Sequence, residues 1–132
     1  MRRLAVVCSL VAVLGAHTAS RAAVQVVVAP PGAFVAGVFD VVDVAVKGEP
    51  LTFVNLDPST QGRHNVRSVA YGSNAKPWCS DYPLNKCPLF VSALVAVGGS
   101  STADISATVA GQNYDFVCEL HGNMKGTLRV VA

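Results

Sequence analysis

Short apolar runs alternate with turn-forming residues along this chain, at a period of two, and no segment sustains a helical period with caps. Residues 23–30 are rich in valine and read as a first strand, ended by Pro30-Pro31-Gly32. Residues 34–39 form a short apolar piece of undefined type. Residues 41–46 read as a strand, followed by a turn at 47–50. Residues 51–56 read as another, with Leu51 and Phe53 on one face and Thr52 and Val54 on the other. Residues 57–62 have loop composition, and residues 64–69 read as a strand that begins on His64. From Ala70 to Pro88 the periodicity disappears, and Pro77, Pro83 and Pro88 mark a long irregular excursion of a kind that is often functional. Residues 89–97 are apolar and β-leaning, residues 98–101 are a turn, and residues 102–109 read as a strand. Tyr114, Phe116 and Cys118 then alternate with Asp115, Val117 and Glu119, and residues 127–131 alternate again. Seven or eight short strands with regular turn signals predict an all-β fold, an antiparallel sandwich or barrel.

The first residues fall outside this pattern. Met1-Arg2-Arg3 is a positive start, residues 4–14 are apolar, and Ser20 and Ala22 put small side chains at −3 and −1 of a cleavage point. Residues 1–22 therefore read as a secretory signal peptide, and residues 23–132 as a single domain. The apolar run is too short for a membrane anchor, and no second run of about 20 residues follows. The expected location is periplasmic or extracellular, with general secretion preferred over the twin-arginine route that Arg2-Arg3 brings to mind. Without the signal, 110 residues remain, and the charge changes sign: seven Lys and Arg stand against eight Asp and Glu. No basic cluster survives to meet nucleic acid, and a monomer is expected.

Cysteine arithmetic changes the picture further. Cys8 lies in the signal, which leaves Cys79, Cys87 and Cys118, an odd count for an exported protein. If Cys118 serves a metal, Cys79 and Cys87 can form a disulfide that contributes roughly 2–3 kcal/mol; free thiols are the alternative. Cys118, His121 and Met124 lie at Cys-x2-His-x2-Met between two strands, with Gly122 and Gly126 allowing a tight path. His17 belongs to the signal, so His64 is the one remaining histidine and the candidate fourth ligand. Structural zinc calls for four strong nitrogen or sulfur ligands, and a thioether is a poor one. Two imidazoles, one thiolate and a weak axial methionine are the donor set of a type 1 copper centre. Asp81, Asp115 and Glu119 read as solvated surface charges, and Trp78 as packing against the disulfide.

Three stretches carry a resemblance: residues 48–55 (GEPLTFVN), His64-Asn65-Val66, and residues 114–126 (YDFVCELHGNMKG). Together they make the chain resemble the cupredoxins, small blue copper proteins, from about residue 41 to 131 except for the 70–88 excursion. The two-residue gap between His121 and Met124 is similar to the amicyanin subfamily. The resemblance implies a Greek-key β-sandwich with one type 1 copper ion on His64, Cys118, His121 and Met124, and Asn65 tying the two ligand loops together. It also implies single-electron transfer between redox partner proteins that dock transiently near His121, and no enzymatic activity. A copper carrier or scavenger is the alternative function. An oxidase would need further copper centres, for which two histidines do not suffice.

Overall fold

The computed structural model describes residues 25–41, 44–59, 62–72, 76–83 and 86–132. The expected signal peptide lies outside the described residues. Two four-stranded sheets face each other. The first contains β1 (Gln25–Ala29), β2 (Asp40–Val41), β4 (Leu51–Asn55) and β8 (Ser100–Ala103), in the order β2-β1-β4-β8. The second contains β3 (Ala45–Val46), β5 (Arg67–Ser68), β9 (Asn113–Val117) and β10 (Lys125–Val131), in the order β3-β10-β9-β5. A small ribbon pairs β6 (Tyr71–Gly72) with β7 (Cys87–Pro88).

The predicted alternation sets the core. Val27, Ala29, Leu51, Phe53 and Ala103 of the first sheet are buried, as are Ala45, Tyr114, Phe116, Leu128 and Val130 of the second. Aromatic edges knit the layers: Phe39 meets Phe53 at 6.1 Å and Phe116 at 5.3 Å between ring centroids, and Phe90 meets Phe116 at 6.4 Å. These contacts fix β9, whose C-terminal end carries Cys118.

The sheets are mixed, which corrects the antiparallel expectation. β1 runs parallel to β4, and β3 parallel to β10. The chain changes sheets here: where one strand was expected at residues 41–46, β2 (Asp40–Val41) belongs to the first sheet and β3 (Ala45–Val46) to the second. Strands paired after such a crossover are not hairpin neighbours and need not be antiparallel.

Three further expectations are revised by side chains that take backbone partners. Residues 64–69 were expected as one strand, yet only β5 is regular, and His64 and Arg67 make isolated bridges to Val95 and Val91. Ser92 Oγ accepts the Val66 N–H at 3.1 Å in place of a backbone carbonyl, so the ladder is interrupted there. Residues 89–97 therefore contribute bridges and no long strand. The strand expected at 102–109 lies at Ser100–Ala103. It stops where Asp104 Oδ1 accepts the Ser106 N–H at 2.7 Å.

The undefined piece at 34–39 contains one helical turn, α1 (Ala33–Ala36), between Gly32 and Gly37 at φ of +83° and +71°. A Cβ at Gly37 would sit 2.9 Å from Asn123 O, so glycine is needed there for space as well as for its positive φ. Lys125 N donates to Gly37 O at 3.1 Å, docking α1 against the end of the Cys118 loop.

In the 70–88 excursion, a 3-10 turn (Pro77–Asp81) joins the β6–β7 ribbon, and Cys79 and Cys87 are bonded with their Cα atoms 5.1 Å apart. Trp78 Nε1 donates to Pro88 O at 3.2 Å beside that bond.

Candidate metal centre

The loop between β9 and β10 is wound by its own backbone. His121 N donates to Cys118 O at 3.2 Å, Met124 N to His121 O at 2.9 Å, and Cys118 N to Met124 O at 3.2 Å. These turns point Cys118, His121 and Met124 inward. Cys118 and Met124 are fully buried, and His121 keeps 8% of its surface exposed. His64 comes from the segment that leads into β5, fully buried, with its backbone paired to Val95 in both directions at 3.1 and 2.9 Å.

The donor atoms converge. His64 Nδ1 lies 3.0 Å from His121 Nδ1, and Cys118 Sγ lies 3.8 and 3.5 Å from those two nitrogens. A point about 2.0 Å from all three exists at the centre of that triangle, matching metal–nitrogen and metal–sulfur bonds of about 2.0–2.3 Å. His64, Cys118 and His121 are thus placed to hold a metal ion. Burial and the neighbouring His64 push His121 below the ordinary imidazole range, with Asp57 opposing, so the neutral, metal-binding form is favoured.

The two sides of the site are stitched together by Asn65. Its Oδ1 accepts the Glu119 N–H at 2.9 Å, and its Nδ2 donates to Ser92 O at 3.2 Å and Glu119 Oε2 at 2.7 Å. One amide thereby fixes the residue after His64 to the residue after Cys118. Glu119 is exposed, as expected of a surface charge, yet it is not idle: its carboxylate also accepts from Tyr82 Oη and stands 3.6 Å from Arg67 Nε. Burial, and then that carboxylate, push the Tyr82 phenol above its ordinary range. Through Tyr82 the disulfide-closed excursion reaches the ligand loop.

Sequence reasoning passed over two residues at this site. Phe34 lays its ring edge-on to His121 at 4.8 Å between centroids, and its carbonyl accepts from Asn123 Nδ2 at 3.1 Å. Asp57, taken as part of a polar loop, is 1% exposed, and its Oδ2 lies 3.2 Å from His64 Nε2. An Asp-Pro pair after a strand reads as a turn, and nothing local signals the burial of the carboxylate.

No family model matches the sequence, and no curated protein is similar to it. Solved structures do resemble the fold. Auracyanin A, titled a "blue" copper protein from the green thermophilic photosynthetic bacterium Chloroflexus aurantiacus, superposes with a TM-score of 0.54 at 20% identity, covering 82% of this chain and 98% of its own. An oxidised mutant of amicyanin superposes with a TM-score of 0.51 at 21% identity, covering 85% and 87%. A purple cupredoxin from Nitrosopumilus maritimus gives 0.49 at 19% identity, covering 80% and 98%. At these identities the likeness is one of architecture: this chain has the cupredoxin β-sandwich fold.

Proposed function

We propose that this protein is an exported single-electron carrier holding one copper ion on His64, Cys118, His121 and Met124. The observation that carries the reading is the buried triangle of two imidazole nitrogens and one cysteine sulfur, supplied by the β9–β10 loop and by the segment that runs into β5, the strand beside β9. That donor set suits both copper oxidation states, with the buried Met124 thioether available as a weak fourth partner. When bound, copper would supply a one-electron couple. The chain's part is to hold the donors still. Asn65 and the self-bonded loop keep Cys118 and His64 from rearranging as charge changes, which keeps the cost of electron transfer low.

His121 offers the way in, being the partly exposed member of the set. Val35, next to the Phe34 that abuts His121, is 84% exposed, and Leu120, next to His121 itself, is 56% exposed. Such apolar positions favour a small, transient docking surface for redox partner proteins. The predicted signal at 1–22 supports export of a single domain at 23–132, acting as a monomer. No described helix is long and apolar enough to cross a membrane.

The direct test is copper loading of the mature protein. An intense visible thiolate-to-copper band and a reversible one-electron wave are expected; a folded but colourless copper complex would sink the assignment. Met124→Leu tests the fourth ligand. Removing a weak axial donor should favour Cu(I) by tenfold or more, a rise in potential of about 59 mV for one electron. An unchanged potential, read by voltammetry, would exclude Met124 from the ligand set.

A further inference from the structure

The Asp57 carboxylate lies in the interior, where an unpaired charge is strongly unfavourable. Its oxygens are fully engaged. Oδ1 accepts the N–H groups of Gly32 at 3.2 Å and Ser59 at 3.1 Å, and Oδ2 accepts the N–H of Phe34 at 3.0 Å and faces His64 Nε2 at 3.2 Å. The residue itself is held by its own N–H donating to Asn55 Oδ1 at 3.0 Å. Asn55 in turn donates through Nδ2 to Gly62 O and Val95 O at 2.9 Å each. Val95 is also the backbone partner of His64. Three backbone N–H groups and the His64 ring thus surround the carboxylate and offset the cost of burying its charge.

Three consequences follow for the metal centre. A carboxylate on Nε2 requires the proton to be on that nitrogen, which leaves the Nδ1 lone pair directed at Cys118 and His121. It makes the imidazole a stronger donor and places a negative charge one ring away from the metal position, which favours the more positive oxidation state. The same Oδ2 holds the backbone of Phe34, whose ring forms a wall of His121, so one carboxylate sets both histidines.

We propose that Asp57 is the positioning residue of the copper centre: it locks His64 with Nδ1 toward the metal and biases the couple toward Cu(II). This rests on the copper reading above. For a one-electron couple, Cu(II) takes an electron from a partner protein or electrode and becomes Cu(I); Asp57 exchanges neither electron nor proton.

The test compares wild-type and Asp57→Asn proteins, copper-loaded, by voltammetry and visible absorption. The variant keeps the thiolate band, since Cys118 is untouched, while Cu(I) is favoured by tenfold or more, a rise of about 59 mV. A second measurement needs no variant. In the diamagnetic Cu(I) form of the wild type, nitrogen-15 NMR should place a proton on His64 Nε2 that is shielded from solvent exchange. An unchanged potential in a folded, blue variant overturns the role of Asp57 and leaves the copper reading standing. A wild-type His64 without a proton on Nε2 overturns it too, whether or not the variant folds. A wild type that gives no thiolate band on copper loading overturns both proposals together.

Discussion

Cys118→Ser is expected to abolish the visible charge-transfer band of the copper-loaded protein, reducing its absorbance by well over tenfold. The band requires a thiolate, and a serine hydroxyl stays protonated at neutral pH and is a harder donor. Copper still meets the two Nδ1 atoms that face each other at 3.0 Å, so metal uptake weakens without vanishing. What remains is a pale site of nitrogen and oxygen ligands. The fold is expected to survive, because the new hydroxyl lies where Sγ does, 3.5 Å from His121 Nδ1, and can find a hydrogen-bond partner there. Denaturant unfolding of the apo-protein should therefore change by no more than about 1–2 kcal/mol. A blue Cys118→Ser protein would place the thiolate elsewhere and undo the site as described.

The second large effect concerns Phe116 and Gly126, cross-strand partners in the β9–β10 ladder. Phe116 is fully buried, and its ring lies so close over Gly126 that a Cβ there would overlap the ring's far carbon. Phe39 and Phe90 hem the ring in, leaving it little room to yield. Phe116→Ala should cost about 3–5 kcal/mol of stability. Gly126→Ala, which forces a methyl into the occupied space, should cost about 1–3 kcal/mol. The pair should not add. With the ring gone, the methyl enters a void, and the double variant should be more stable than the sum of the singles by about 1 kcal/mol or more. Urea unfolding of the four apo-proteins measures this; strict additivity would mean that the ring does not pin the strand pair.

What the sequence reveals of this site follows from where the information lies. Cys118, His121 and Met124 are legible because one short loop sets their spacing and the alternation of residues 114–118 delivers the loop to a strand end. His64 is legible through its place after a loop and before Asn65, although the strand expected of it is a pair of bridges stitched by Ser92. Side chains that substitute for the ladder leave no mark on a two-residue period. Nor does that period record strand direction, which is why the parallel pairing of β1 with β4 and of β3 with β10 was invisible. The burial of Asp57 is illegible for a third reason. A carboxylate in a polar stretch looks solvated until the fold shows which donors surround it.

His64 and Cys118 are 54 positions apart, yet their donor atoms stand 3.8 Å from each other. In kinetic terms, the pocket is a late product of folding. The loop donors are local, whereas the remote imidazole arrives only when the segment running into β5 has paired with β9, after its loop entropy has been met. Metal captured by the complete set thus ties the β9–β10 loop to the segment before β5, and any ion bound more tightly by the native chain adds to its stability by mass action. Colour appearing during refolding would then mark the moment at which β5 joins β9.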